Sequence, residues 1–169
     1  RLLEKELIKS EKKYQEIFNN IPNPAFVLDK AALQIIDCNQ SVQNVYGYSK
    51  DEIIGRSFLD LFNDGEKERY ASAIQNSSVL NQVKQSTRSG RTIYVDIWIS
   101  PSEYAGQKVY LVTTSDITQR LETEQQLIQT SKMATLGEMA TGVAHELNQP
   151  LSVIKTASSF CIKKTSKSE

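Results

Sequence analysis

The sequence is poor in the residues that carry most protein chemistry. Its 169 residues include one histidine, His145, and two cysteines, Cys38 and Cys161. No CxxC pair and no second histidine or cysteine at metal-ligand spacing is present, so a zinc site and a thioredoxin-type redox site are excluded. The cysteines lie in different parts of the chain, and we expect two free thiols in a reducing cytoplasm.

The chain also lacks an excess of charge and long apolar runs. Lys and Arg number 20 and Asp and Glu number 20, so the formal net charge is zero. A general nucleic-acid-binding protein needs a basic face to meet phosphates, so we exclude that class. Apolar runs such as Ala25 to Leu28 are far shorter than the roughly 20 residues that span a bilayer, and no signal peptide is recognisable. The sequence leaves open whether a membrane segment lies upstream of these residues.

The first pattern along the chain is helical. A seam with heptad spacing predicts a coiled-coil helix over Leu2 to Asn19, within a first segment of residues 1–19. The seam consists of Leu3, Leu7, Ser10, Tyr14 and Ile17. Ile21-Pro22-Asn23-Pro24 ends this helix, because proline has no backbone N–H to donate and restricts the residue before it.

The next hundred residues alternate between strand-like and short helical patterns. Strands are predicted over residues 25–29, 34–38, 83–88, 93–100 and 108–114, and short helices over 39–46, 49–55 and 63–76. Regular βαβ alternation is absent, which argues against a parallel sheet. We therefore predict an α+β fold, an antiparallel sheet with short helices on one face.

Several local signals mark the ends of these elements. Asn39 is a candidate N-cap for the first short helix, and Ser49 with Glu52 has the spacing of a capping box. Ser89-Gly90 and Ala105-Gly106 predict the turns that connect the last three strands.

Three segments of this region together resemble a PAS domain. They are Tyr14-Gln-Glu-Ile-Phe-Asn-Asn-Ile-Pro-Asn-Pro-Ala-Phe-Val-Leu-Asp29, Asn44-Val-Tyr-Gly-Tyr-Ser-Lys-Asp-Glu-Ile-Ile-Gly55 and Asp116-Ile117-Thr118. The last matches the D-I-T tripeptide that commonly ends a PAS sheet and starts a signalling helix. The resemblance implies a sensor domain over residues 20–117.

A long helix is predicted from Thr118 to about Cys161. Its first part, a linker over residues 118–132, has a sparse seam at Leu121 and Ile128. Its second part, over residues 133–169, has a regular seam of Met133, Leu136, Ala140, Val143 and Leu147. The two seams do not join in register, so we expect a stutter near Gln129 to Lys132.

His145 lies on the polar side of this helix. At 100° per residue it points roughly 160° away from the centre of the seam, and Gln149 and Ser152 follow on its face. Glu146 is its neighbour in sequence. An exposed histidine on a coiled coil would satisfy the same geometry, so the pattern alone leaves the role of His145 open.

The surrounding residues, however, closely resemble the H-box of histidine kinases. The segment reads Ser131-Lys-Met-Ala-Thr-Leu-Gly-Glu-Met-Ala-Thr-Gly-Val-Ala-His-Glu-Leu-Asn-Gln-Pro-Leu151. The resemblance implies that His145 accepts a phosphoryl group and that Glu146 orients it and takes its proton. It also implies ATP and Mg²⁺ bound by a catalytic domain missing here, a response-regulator partner and a homodimer. Gln149 stands where many relatives have Thr or Asn to position water for phosphatase chemistry, so its role is less secure.

The sensor ligand and an alternative function stay open at this level. Residues 12–118 contain no histidine, which argues against a histidine-ligated haem, and the Cys38 context is unlike that of flavin-reactive cysteines. We expect a core filled by its own side chains, without a cofactor; a small apolar or carboxylate ligand is the alternative. A PAS dimerisation or ligand-binding module with a coiled-coil spacer to another output would fit the same pattern, except for His145, Glu146 and Pro150.

Overall fold

The computed structural model describes the backbone of residues 2–165 and the side chains of Glu6 and of residues 8–159. The predicted seam positions Leu3 and Leu7 and the thiol of Cys161 lie outside the described side chains. The chain divides into two compact units, Arg1–Arg120 and Leu121–Glu169. The predicted boundaries of the chain's segments stay predictions.

The first unit is built on a five-stranded antiparallel sheet whose strand order is β2-β1-β5-β4-β3. This confirms the predicted α+β fold with short helices, an N-terminal helix and a long C-terminal helix. The strands are β1 (Ala25–Asp29), β2 (Ile35–Cys38), β3 (Val79–Ser86), β4 (Thr92–Tyr104) and β5 (Gln107–Asp116). The helices are α1 (Leu2–Asn20), α2 (Ser41–Tyr46), α3 (Lys50–Ile53), α4 (Lys67–Asn76) and α5 (Thr118–Thr165), with 3₁₀ turns at Phe58–Leu61 and Asp64–Glu66.

The inner face of the sheet packs against the short helices and forms the main core. On β4 the predicted alternation is confirmed, because Ile93, Val95, Ile97 and Ile99 are buried while Tyr94 and Trp98 are exposed. Other members of this core come from β1, the helices and β5; they include Phe26, Leu28, Tyr46, Phe58, Ile74 and Val112. The outer face carries a smaller cluster of Phe18 from α1 with Ala25, Val27 and Val109.

The prediction that Asn39 caps the first short helix is wrong. Helix α2 begins at Ser41 and has no side-chain cap. The Asn39 side chain is instead buried, and its Oδ1 accepts a 2.9 Å hydrogen bond from the Ala25 N–H. Its Nδ2 donates to carbonyl oxygens at 3.2, 3.3 and 3.0 Å, those of Phe18, Ile21 and Asn23. Asn39 therefore fastens the end of α1 to the start of β1, because those backbone groups have no ladder partner.

Other local predictions are confirmed. The capping box of Ser49 and Glu52 is present at α3. Ala105 and Gly106 both have positive φ angles, 49° and 77°, as a two-residue turn with the twist of a hairpin requires. The strands β4 and β5 that this turn connects are longer than predicted, since β4 continues through Pro101 to Tyr104.

The described part of the second unit is helix α5 from Leu121 onward. The helix continues past its predicted end to Thr165 and includes Pro150. Every described side chain from Glu122 to Ser159 is exposed. Among the apolar side chains of α5, those of Leu136 and Leu147 are both 60% exposed. A bend at Pro150 and the burial of the seam therefore remain predictions. Among the described residues, no helix has the length and apolar character that a membrane span requires.

Candidate functional site

The start of α5 is fastened to the sheet by Asp116 and Thr118. The Thr118 N–H and hydroxyl donate to the Asp116 Oδ1 at 2.9 and 2.6 Å. The Thr118 Oγ1 in turn accepts a 2.9 Å hydrogen bond from the Tyr94 N–H, and the Ile117 N–H donates to the Tyr94 carbonyl at 2.8 Å. The Asp116 side-chain oxygen therefore caps α5, and the cap also joins this helix to β4.

A second link to the same helix turn passes through Asp96. The Asp96 carboxylate lies 3.6 Å from the Arg120 guanidinium and accepts a 2.9 Å hydrogen bond from the Gln82 N–H. Gln82 has a φ of 52° and lies where the β3–β4 register shifts. Sequence reasoning missed this link, because Asp96 looked like one more outward residue of an alternating strand.

The inner core contains a buried polar cluster that sequence reasoning also missed. The Tyr46 hydroxyl lies 2.6 Å from the Gln85 Oε1 and 3.1 Å from the Thr114 Oγ1. Burial raises the pKa of Tyr46 well above its usual range, although its hydrogen bond to Thr114 opposes that shift. The phenol is therefore neutral at every physiological pH. The only signal in the sequence was a glutamine at an inward position of β3.

Asp37 forms the third polar cluster, on the outer face of the sheet opposite Val27. Its carboxylate binds the Lys50 ammonium at 2.5 Å and accepts from the Tyr104 hydroxyl at 3.1 Å. Tyr14 of α1 stacks on Phe18 and lies beside Tyr104. Burial, with the charge of Asp37, raises the pKa of Tyr14 to about 12. The cluster thus brings together α1, β2, α3 and the β4–β5 hairpin.

The predicted phosphoacceptor residues all lie on α5. His145, Glu146 and Gln149 are exposed, and Gln149 follows His145 by about one helical turn. In the described part of the chain, no hydrogen bond joins His145 to Glu146. Pro150 has no N–H, so the Glu146 carbonyl lacks its usual helical donor four residues on. The arrangement leaves the imidazole accessible to a second macromolecule.

Metal chemistry finds no support in the part of the chain that the structure describes. It contains no group of three or more His, Cys, Asp or Glu side chains that could hold a metal ion. Cys38 is buried, and burial raises the pKa of its thiol to about 11 although Lys50 opposes the shift. A thiol with that pKa is a poor nucleophile and a poor metal ligand at neutral pH.

Comparison with known proteins decides the family. The PAS fold matches residues 12–117, which is most of the chain. The chain belongs to the PAS family. Within this PAS domain, Asp116, Ile117 and the cap on Thr118 mark the end of the sheet.

Curated relatives of this PAS protein include two sporulation kinases and a sensor protein. Sporulation kinase E of Bacillus subtilis is 30% identical over 156 residues, covering 90% of this chain and 21% of that protein. Sporulation kinase A of the same organism is 27% identical over 156 residues, covering 88% and 25%. The sensor protein FixL of Bradyrhizobium diazoefficiens is 25% identical over 157 residues, covering 83% and 31%. The chain thus spans between a fifth and a third of the length of these relatives.

Solved PAS domains share the fold. One is the PAS domain of an HTR-like protein from Haloarcula marismortui, with a TM-score of 0.54, 23% identity and coverage of 68% of this chain and 97% of that one. Another is a PAS domain from Colwellia psychrerythraea, with a TM-score of 0.54, 23% identity and coverage of 67% and 98%. At these identities the likeness concerns the fold alone.

Proposed function

We propose that this chain is the sensor and phosphoacceptor portion of a two-component histidine kinase. One observation carries the proposal: the match to sporulation kinase E covers 90% of the chain. Any continuous stretch of that extent includes residues 20–150, and therefore extends from the PAS domain through His145 and Glu146. Together with the H-box pattern of residues 131–151, this supports reading α5 as more than a spacer.

In the proposed reaction His145 is the nucleophile. A nitrogen of the neutral imidazole attacks the γ-phosphorus of ATP, the bond to the β,γ-bridging oxygen breaks, and ADP leaves. Glu146 orients the ring and accepts the proton from its other nitrogen. The ATP and its Mg²⁺ are held by a catalytic domain outside these 169 residues. Exposure of His145 suits this scheme, because the phosphoryl donor belongs to another domain.

The phosphoryl group then passes from His145 to an aspartate of a response-regulator receiver domain. The phosphorus–nitrogen bond breaks as the carboxylate oxygen attacks, and the imidazole recovers its proton. Gln149 lies about one turn beyond His145, where its amide positions a water for the phosphatase reaction, in which that water attacks the phosphorus of the aspartyl phosphate and the carboxylate leaves. We place these reactions in the cytoplasm, where ATP and response regulators are present.

The proposal includes a parallel homodimer. Helix α5 has 48 residues, and its described apolar side chains from Leu127 onward are exposed. Such a helix gains little stability alone, because tertiary packing of an apolar face supplies most helix stability. Pairing α5 with its copy would bury the seam that contains Leu136 and Leu147. The polar face with His145 would stay accessible to the catalytic domain.

Phosphorylation in vitro tests the assignment. The chain is mixed with ATP and a separately supplied histidine-kinase catalytic domain, and acid-labile, base-stable phosphate is measured. We expect labelling of the unmodified chain and none of His145→Gln, since no other histidine is present. Glu146→Gln should slow labelling by about 10²–10⁴-fold, the usual contribution of a general base.

Glu138→Gln is the matched control, because it removes the same charge from an exposed position of the same helix. It should be labelled at the unmodified rate. Circular dichroism and sedimentation should show that His145→Gln keeps the fold and the association state. Labelling that persists in His145→Gln would exclude the phosphoacceptor and favour the alternative of a PAS module with a helical spacer.

A further inference from the structure

A cleft of about 460 Å³ lies on the surface where the end of α2 meets the turn between β3 and β4. Side chains of both segments line it, among them Asn44, Val45, Thr87, Arg88, Ser89 and Arg91. The cleft lies outside the hydrophobic core, since Arg88, Ser89 and Arg91 are exposed. None of the described residues that line it has a carboxylate. Two guanidinium groups therefore face the cleft without an acid on its walls.

Backbone hydrogen bonds hold the β3–β4 turn in place. The Thr87 N–H donates to the Arg91 carbonyl, and the Gly90 N–H donates to the Thr87 carbonyl, both at 2.9 Å. Gly90 has a φ of 80°, which glycine adopts without strain. The Arg88 N–H donates to the Tyr46 carbonyl at 2.9 Å and so fastens the turn to α2. The two walls of the cleft are thus fixed to each other, and preorganisation of this kind lowers the entropy cost of binding.

The two arginines differ in their partners. The Arg88 Nη2 lies 2.6 Å from the Glu52 Oε1, while the Glu52 Oε2 accepts a 2.9 Å hydrogen bond from the Ser49 N–H. A guanidinium has five N–H donors, so this single ion pair leaves most donors of Arg88 available. Arg91 forms no ion pair with any residue that the structure describes. The cleft therefore has one positive charge that no carboxylate of the described chain balances.

Two hydroxyl groups add a neutral donor to the same cleft. The Thr87 Oγ1 and the Ser89 Oγ are 3.0 Å apart and share one hydrogen bond. Each hydroxyl has one proton, so whichever of the two donates, the other keeps its proton for a further acceptor. A phosphate group has three acceptor oxygens that point in different directions, whereas a carboxylate has two in one plane. Guanidinium and hydroxyl donors on both walls therefore suit a phosphate better than a carboxylate.

The size of the cleft distinguishes a phosphate ester from free phosphate. Its volume of about 460 Å³ falls within the range of roughly 300–1,000 Å³ that is usual for organic ligands. An inorganic phosphate ion would fill only a small part of it. Val45 lines the α2 side and offers apolar surface there, against which an organic group can pack.

We propose that this cleft binds a phosphate monoester. Arg88 and Arg91 bind oxygens of the phosphate, the free hydroxyl proton of Thr87 or Ser89 binds a third oxygen, and the organic group lies against Val45. The site belongs to the PAS domain and does not depend on phosphotransfer by the α5 histidine. Either proposal can therefore fail while the other holds.

Nuclear magnetic resonance of the whole ¹⁵N-labelled chain tests this site with phenyl phosphate as the probe, in roughly 0.15 M salt to screen distant charges. Benzoate has the same ring with a carboxylate, and inorganic phosphate lacks the ring. We expect phenyl phosphate to shift the backbone amide resonances of Ser89 and Gly90 and to bind more tightly than either comparison anion. Arg91→Gln should weaken phenyl phosphate binding by about tenfold or more, the effect of one lost charge-assisted hydrogen bond. This variant should keep its fold, because Arg91 is exposed.

Arg69→Gln is the matched control, because it removes the same charge from an exposed position of α4, and it should bind phenyl phosphate normally. Equal binding by the unmodified chain and Arg91→Gln would overturn the proposal, and so would Ser89 and Gly90 resonances that do not respond to phenyl phosphate. An equal loss in Arg69→Gln and Arg91→Gln would reduce the effect to general charge attraction and reject the site. Benzoate binding as tightly as phenyl phosphate would overturn the assignment to phosphate, and inorganic phosphate binding as tightly would overturn the assignment to an ester.

Discussion

Asn39 serves three backbone segments with one side chain. Its amide oxygen accepts a hydrogen bond from the Ala25 N–H. Its amide nitrogen donates to three carbonyl oxygens at the end of α1 and in the following loop. Removing the amide leaves these groups unpaired in a site that is 2% exposed at Asn39. We expect Asn39→Ala to lower the free energy of unfolding by about 3 kcal/mol, measured by urea denaturation followed by circular dichroism.

The adjacent Gln40→Ala is the matched control, since Gln40 is exposed and its side chain donates to the exposed side chain of Gln43. It should change the free energy of unfolding by about 0.5 kcal/mol or less. If the two variants were equally stable, Asn39 would be an ordinary loop residue.

At the scale of single residues, short sequence patterns predicted contacts between residues that are close in sequence. The capping box of Ser49 and Glu52 involves partners three residues apart, and it is confirmed. Asn39 has partners 14 to 21 residues away, and Tyr46 reaches Gln85 and Thr114 at separations of 39 and 68. Those pairings depend on the completed sheet, so no spacing in the sequence reveals them.

Among the helices and strands, α5 is the element that connects the PAS domain to His145. Its cap at Thr118 bonds to Tyr94 of β4, so a change in the sheet can reach the base of the helix. The break between the two predicted seams near Gln129 to Lys132 would give this helix two alternative packings, as a switch requires. We infer that the PAS state selects between them.

Insertions near Ser131 test this relay in the chain joined to a histidine-kinase catalytic domain. One added residue rotates the downstream helix by about 100°, and we expect it to lock or abolish kinase output. Seven added residues restore the heptad register and should largely preserve output and its response to stimulus. The relay would be wrong if both insertions gave the same activity, and Asp116 and Thr118 would then be simple caps.

Strand existence was easier to predict than strand length. The isoleucines of β4 alternate with polar residues, so the period of two was visible. Its extension to Tyr104 was hidden by Pro101, a residue that disfavours strands. In the structure the β3–β4 ladder ends at Trp98, so Pro101 lies where only β5 is a neighbour and is tolerated.

At the scale of the whole molecule, self-association is the property that can be tested most directly. Along α5 the apolar side chains of Leu127, Met133, Met139 and Val143 are between 56% and 66% exposed. We expect the chain to dimerise with a Kd of about micromolar order and to sediment as a dimer at tens of micromolar. Ending the chain at Thr118 should weaken association greatly.

Leu136→Glu places a charge in the seam and should favour the monomer, whereas Gln126→Glu adds the same charge at a polar position and should not. A monomeric unmodified chain in this concentration range would contradict both the dimer and the coiled-coil interpretation of α5.

The fold class of the whole molecule followed from the order of its elements, because strands without βαβ alternation favour an antiparallel sheet. The strand order did not follow. The chain leaves the sheet after β2, forms α2 to α4, and returns at the far edge with β3. Which edge receives β3 depends on long-range packing of the short helices, for which the sequence has no periodic signal.

The position of β5 has a mechanical consequence. It is the central strand, hydrogen-bonded to β1 on one side and β4 on the other, and it leads directly into α5. Tension applied through α5 is therefore shared by two ladders loaded together, while β2 and β3 at the edges are each held by one. Under a pulling force the C-terminal attachment should be the stiffest point of the PAS domain, and rupture should start at an edge strand.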